Sequence, residues 1–277
     1  MTRISVLQMT SGIEPARNGA AIVAAVEAAA AGGAAMLFTP EMSNLLDRDR
    51  ARAGHSVVAE ADDPVLAMVR EAAARAGIWV ALGSLAVLRP DGRYANRALV
   101  IDGSGAVRGR YDKIHMFDVD LASGESWRES NAYAPGEALG LVDGTPVGRL
   151  GLTICYDVRF PALFEALGQQ RCDVIAIPAA FTVPTGQAHW HLLQRTRAVE
   201  ASAFVVAAAQ AGTHEDGRAT YGHSLVVDPW GHVLLELGGE GSALGFAELD
   251  PARLAEVRAQ LPSLANRRQI PAATEVA

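Results

Sequence analysis

The hydrophobic positions of this chain switch repeatedly between short unbroken apolar runs and a helical spacing of 3.6 residues. Met1-Thr-Arg-Ile-Ser-Val-Leu-Gln8 lacks the long apolar centre of a signal peptide and reads as a first strand. Ala20 to Phe38 is the most membrane-like stretch, yet it is mostly alanine, holds Glu27 and breaks at Gly32-Gly33. It predicts a helix, a glycine stop and a strand over Ala34 to Thr39, not a membrane span. Asp63-Pro64 predicts a helix start, with a capping aspartate and a proline in the first turn. Val65, Met68, Val69, Ala72 and Ala76 then share one face, and Gly77 ends the helix before a buried strand, Ile78 to Leu82.

The alternation continues. Arg97 to Asp102 and Ala106 to Tyr111 flank Gly103-Ser-Gly105 and predict a hairpin. Leu150 to Ile154 reads as a strand, Pro161 to Gln170 as a helix and Asp173 to Pro178 as a strand. Gln187 to Ser202 reads as a helix and Ala203 to Ala209 as a continuous apolar strand. Leu225 to Val227 and His232 to Leu237 predict a second hairpin around Asp228-Pro-Trp-Gly231. Gly245 to Leu249 then leads into a short helix after Pro251. The fold class is therefore α/β, with layers of helix on sheets that are covered on both sides.

No linker-like segment and no internal repeat divides the 277 residues, so one domain over 1–277 is expected. Half the residues are hydrophobic and 20% are charged, which suits a sizeable core. A net charge of −7, with no basic run, argues against a nucleic-acid partner. Two cysteines make no disulfide framework, so a cytoplasmic location is expected.

Chemistry concentrates at Cys155, in Arg149-Leu-Gly-Leu-Thr-Ile-Cys155-Tyr-Asp-Val-Arg159-Phe-Pro161. A strand-like run stops there and a helix-like segment begins. A thiol at such a junction is expected to be exposed and favoured as thiolate by the helix start; a small buried hydrophobe is the plainer reading. A cysteine nucleophile needs a base, and His189, His191 and His223 are the histidine candidates. No local pattern separates them, and structural roles fit all three. Trp190 puts His189 and His191 on different helix faces, which makes them a poor metal pair. Cys172 offers no Cys-x-x-Cys pattern, so a redox role is weakly supported.

Two other charges sit in telling places. Glu41 follows Met36-Leu-Phe-Thr-Pro40, at the carboxyl end of a strand, where ligands collect in α/β proteins. Lys113 follows a hairpin strand in Arg110-Tyr-Asp-Lys113-Ile-His115. Alone, either reads as a solvated charge.

Together, Phe38-Thr-Pro-Glu41, Tyr111-Asp-Lys113-Ile-His115 and Gly151-Leu-Thr-Ile-Cys155-Tyr-Asp-Val-Arg159-Phe-Pro161 resemble the glutamate, lysine and cysteine segments of the nitrilase superfamily of carbon–nitrogen hydrolases, in that family's order. His189-Trp190, Arg195 to Glu200, Val205 to Gln210 and Tyr221-Gly-His-Ser224 through Trp230-Gly231 are similar to its deaminated-glutathione amidase and ω-amidase branch. Gly212-Thr-His214 leans to the former. The resemblance implies a four-layer α-β-β-α sandwich that pairs as a homodimer or higher homo-oligomer. It implies a Glu41–Lys113–Cys155 triad, with Glu129 as a second glutamate that orients Lys113 or the substrate. It implies that Arg159 and Thr185, with Tyr156 beside the nucleophile, bind a substrate carboxylate. A helix-start salt bridge is the plainer reading of Arg159.

The implied activity is hydrolysis of a small carboxylate-bearing amide through a cysteine thioester, with no metal and no organic cofactor. Other acyl groups, a nitrile substrate, or a catalytically silent dimeric scaffold remain as alternatives. One departure stands out. The family's Pro-x-x-x-His-Arg-Arg segment is Pro262-Ser-Leu-Ala-Asn266-Arg-Arg268, so the chain diverges from about 262 and its C-terminal dimer contacts with it.

Overall fold

The computed structural model describes residues 1–122, 124 and 126–271. The first half of the chain runs β1 (Thr2–Gln8), α1 (Pro15–Ala31), β2 (Met36–Phe38), α2 (Arg50–Gly54), α3 (Pro64–Ala76), β3 (Trp79–Leu88), β4 (Tyr94–Ile101) and β5 (Val107–Asp112). The second half runs β6 (Asp118–Asp120), β7 (Ser126–Arg128), β8 (Gly140–Thr145), β9 (Gly148–Leu152), α4 (Pro161–Gln169), β10 (Val174–Ala176), α5 (Val183–Ala201) and β11 (Phe204–Ala207). It closes with β12 (Ala211–Thr213), β13 (Ala219–Tyr221), β14 (Leu225–Val227), β15 (Val233–Glu236), β16 (Ala243–Leu249) and α6 (Pro251–Gln260).

Two six-stranded sheets result. One has the order β16-β1-β2-β3-β4-β5 and the other β15-β14-β11-β10-β9-β8. In each, three central strands are parallel and the flanking strands antiparallel. Strand alternation sorts the core into layers. On β2, Leu37 packs with α1 and α3 residues such as Ile22, Val26, Val65 and Val69. Its neighbours Met36 and Phe38 face the other way, into the cluster that holds β9, β10 and β11 with Phe164 of α4 and Trp190 of α5. The order of layers is helices, sheet, sheet, helices, as the resemblance implied.

The local signals act as expected. Asp63 accepts a hydrogen bond from the Leu66 N–H at 2.8 Å, and Gly77 ends α3 at φ +68°; such a cap contributes about 1 kcal/mol. The two hairpins form with antiparallel register, Ala98 facing Tyr111 and Val226 facing Leu235. Two boundaries differ most. Helix α5 begins at Val183 rather than Gln187, because Pro184 fills a first-turn position where its missing N–H costs nothing. Strand β3 runs on to Leu88 past an irregularity between Leu82 and Leu85. Gly83 lies in that irregularity, and a Cβ there would stand 2.0 Å from the Thr39 carbonyl oxygen and 2.6 Å from Pro178 Cβ. Only glycine lets the segments leading to Glu41 and out of β10 close over this strand.

Candidate active site

Glu41 leaves β2 through Thr39-Pro40 and is buried. Its segment is pinned on both sides. Gly83 N–H donates to Thr39 Oγ1 at 2.9 Å, and Met42 N–H donates to Ser84 Oγ at 2.8 Å. Gln210 Nε2 donates to the Glu41 carbonyl at 2.9 Å. The carboxylate therefore has one orientation. Its Oε2 accepts from the Ala180 N–H at 2.9 Å, and its Oε1 lies 3.0 Å from Lys113 Nζ.

Lys113 continues from β5 and is almost wholly buried. Its ammonium lies 3.0 Å from Glu41 and 2.8 Å from Glu129 Oε2. Burial opposes the charge, but the carboxylates of Glu129 and Glu41 outweigh it and hold the Lys113 pKa well above its usual value. Glu129 is oriented in turn by the Phe117 N–H at 2.7 Å. Both of its carboxylate oxygens accept from Lys113 Nζ, at 3.1 and 2.8 Å.

Cys155 differs from its expectation. It is buried, and it opens a five-residue 3-10 turn, Cys155–Arg159, that precedes α4. The helix cannot start earlier, because Phe160 precedes Pro161 and is driven to extended backbone, at φ −110° and ψ 94°. Cys155 itself sits at φ +50°, a left-handed conformation that costs a non-glycine residue about 1 kcal/mol or more. Its N–H donates to the Pro178 carbonyl at 2.8 Å, and Asp157 caps the turn through the Ile154 N–H at 2.9 Å.

Burial foremost, with the Glu41 carboxylate adding, pushes the thiol pKa well above its usual value; Lys113 and the Ala180 N–H only partly offset this. That direction favours the neutral thiol, with Glu41 and Lys113 beside it. A buried thiol of this kind reacts when its proton leaves for a base rather than by standing as thiolate, and Glu41 is the carboxylate beside it.

Three further residues are the ones expected to bind substrate. Tyr156 packs edge-on against Phe117 and Phe160. Arg159 lies over the rings of Phe181 and Tyr156, with Nη1 3.3 Å from His189 Nδ1. Among the described residues, no carboxylate pairs with Arg159. Thr185 lies in the first turn of α5, its hydroxyl 2.8 Å from that of Thr182. The histidines find partners elsewhere: His189 meets Arg159, while His191 and His223 both meet Glu236. Cys172 is a buried free thiol under Gly151, its pKa pushed up to about 12 chiefly by burial.

Sequence reasoning passed over Asn96 and Asp157. Asn96 Nδ2 donates to Glu41 Oε1 at 2.9 Å and Glu129 Oε1 at 3.1 Å, so it joins the two carboxylates opposite Lys113. Its signal was a buried polar position amid the apolar residues of β4. Asp157 accepts from Tyr111 Oη at 2.7 Å and the His115 N–H at 3.1 Å, fastening the cysteine turn to the lysine segment.

Residues 3–259 match the family model for carbon–nitrogen hydrolases. The chain is 40% identical to the deaminated glutathione amidase of Yersinia enterocolitica over 269 residues, 96% of this chain and 92% of that one. The crystal structure of the Caenorhabditis elegans NitFhit protein superposes with a TM-score of 0.88 at 36% identity, covering 96% of this chain and 65% of that one. Saccharomyces cerevisiae Nit3, a member of branch 10 of the nitrilase superfamily, superposes with a TM-score of 0.85 at 27% identity over 97% of each chain. By sequence and by fold, the chain belongs to the carbon–nitrogen hydrolase family of the nitrilase superfamily.

Proposed function

We propose that this protein is an amidase that converts a small carboxylate-bearing amide to its acid and ammonia through a thioester on Cys155. The observation that carries the reading is the convergence of Glu41 and Lys113 on one buried thiol. The Sγ–carbon bond forms as the thiol proton passes to Glu41, and the carbonyl π pair moves onto oxygen. Lys113 Nζ and the backbone N–H that follows Cys155 stabilise that oxyanion. The oxyanion collapses, the C–N bond breaks, and Glu41 returns its proton to the nitrogen, which leaves as ammonia. Water then attacks the thioester, giving its proton to Glu41, and the acid departs as sulfur regains a proton. Glu129 holds Lys113 in place through both carboxylate oxygens.

Arg159, free of an acidic partner among the described residues, is the substrate-carboxylate receptor, with Tyr156 beside it and Thr185 assisting from the first turn of α5. Deaminated glutathione is the first substrate to try, because the Yersinia relative is named for it. The whole chain forms one hydrolase domain in this reading. It works as a homodimer, with exposed Leu192 and Val199 of α5 and Trp230, Val233 and Leu234 of the β14–β15 hairpin against a second copy. Two free cysteines fit the reducing cytoplasm. No helix of the described residues is long and apolar enough to cross a membrane.

The test is ammonia release from deaminated glutathione, α-ketoglutaramate and a plain aliphatic amide, with Cys155→Ala as control. Preference for deaminated glutathione, lost in Cys155→Ala, is expected. Equal rates on all three amides would remove the substrate assignment and leave the thiol chemistry standing.

A further inference from the structure

Away from the amide site, a second set of ligating side chains converges from three segments. His191 lies on α5, His223 precedes β14, and Glu236 ends β15. Their ligand atoms all lie within 4.8 Å of one another. His191 Nε2 and His223 Nδ1 each stand 2.9 Å from the same oxygen, Glu236 Oε1.

The imidazoles are held in place. His223 sits at φ +56°, a left-handed conformation unusual outside glycine, and its carbonyl accepts Trp190 Nε1–H at 2.7 Å. Its ring stacks on Tyr221 with centroids 4.3 Å apart. The His191 ring stands edge-on to both Tyr221 and His223. On the single chain all three side chains are 27 to 40% exposed, on the same elements that carry the proposed dimer contact.

We propose that His191, His223 and Glu236 bind one divalent transition-metal ion of the zinc class, at a site separate from the amide chemistry. Two imidazoles and one carboxylate, with water in a fourth position, form a familiar donor set for such an ion. Zinc bonds of 2.0–2.2 Å place tetrahedral ligand atoms about 3.3 Å apart, so each histidine nitrogen retreats from Glu236 by only a few tenths of an ångström. Each nitrogen now facing Glu236 presents its lone pair to the metal instead. Its proton moves to the other ring nitrogen or, from an imidazolium, to solvent. The ion ties α5 to the edge strand β15, so its effect is on stability.

The experiment is a calorimetric zinc titration of the assembled Cys155→Ala protein, which removes the reactive thiol, paired with thermal melts. One zinc per chain and a higher Tm are expected. His191→Ala or Glu236→Gln added to that background should each weaken binding at least tenfold and abolish the Tm gain. Cobalt should give the visible bands of nitrogen and oxygen ligation without sulfur charge transfer. Absence of saturable binding would overturn the proposal and leave a His–Glu–His hydrogen-bonded cluster only. Binding unchanged in both variants would overturn it equally.

Discussion

Asn96 and Arg97 are neighbours on β4, and Asp112 and Lys113 are neighbours where β5 ends, yet each pair divides between the two faces of one sheet. Asn96 and Lys113 point inward, to Glu41 and Glu129. Arg97 and Asp112 point outward and pair at 2.6 Å, with Glu60 2.9 Å from Arg97 and Arg110 joining Glu60. The bond types match. Their surroundings do not: Lys113 is 2% exposed, whereas Arg97, Asp112 and Glu60 are 17 to 22% exposed. Water and salt weaken the outer network, while the inner one acts in a low dielectric where a missing partner is felt at full strength. The outer face therefore bears on stability and the inner face on chemistry.

Lys113→Met should have the largest effect. Loss of one oxyanion donor lowers kcat by roughly 10²–10³-fold. It also leaves Glu41 and Glu129 facing each other, and breaking such a buried pair costs about 3–5 kcal/mol. A carboxylate that takes up a proton relieves that repulsion, so urea midpoints should show the variant's deficit shrinking towards acid pH. A deficit independent of pH would mean that the two carboxylates do not share Lys113.

Asn96→Leu comes next. It removes a donor from both carboxylates, each such bond being worth about 1.5–3 kcal/mol, and kcat should fall between about 10-fold and 100-fold with KM little changed. A change confined to KM would show that Asn96 serves substrate binding and not the position of the base.

The smallest effect belongs to the outer network. Arg97→Met should cost about 1 kcal/mol in urea unfolding and leave amide turnover within about twofold. Burial raises the Glu60 pKa, but hydrogen bonds from Arg110 and Arg97 win and hold it below its ordinary 4.5. A depressed carboxylate contributes stability that is present above the unfolded pKa and lost as pH falls through the folded one. The wild type should therefore lose stability as pH drops below 4.5, and Glu60→Gln should lose less over the same range. Both deficits therefore shrink towards acid, but the inner one starts from about 3–5 kcal/mol and the outer one from about 1 kcal/mol. Equal responses would erase the distinction between the two faces.

Much of this was legible in the chain because local rules and global fold agree. Asp63, Gly77 and the two glycine-marked turns act within a few residues of themselves, so their elements follow from the sequence. Glu41, Lys113 and Cys155 were found by the order of their segments, whereas Asn96 was not. A single asparagine on an apolar strand carries no motif, and its meaning depends on Glu129, 33 positions away in sequence. The burial of the thiol was hidden for a similar reason. A strand-to-helix junction describes backbone dipoles, but burial and Glu41, both supplied by the tertiary fold, raise the Cys155 pKa. The pairing of His191 with His223 across Glu236 was equally hidden, since helical spacing tests only neighbours on one helix.

The central claim is a covalent intermediate on Cys155, and intact-protein mass spectrometry after rapid acid quench addresses it most directly. With the preferred amide in excess, the protein should gain the mass of the substrate less ammonia. Peptide mapping should place that mass on Cys155, and Cys155→Ala should show none. Steady ammonia release with no adduct, or with an adduct on any other residue, would contradict the account.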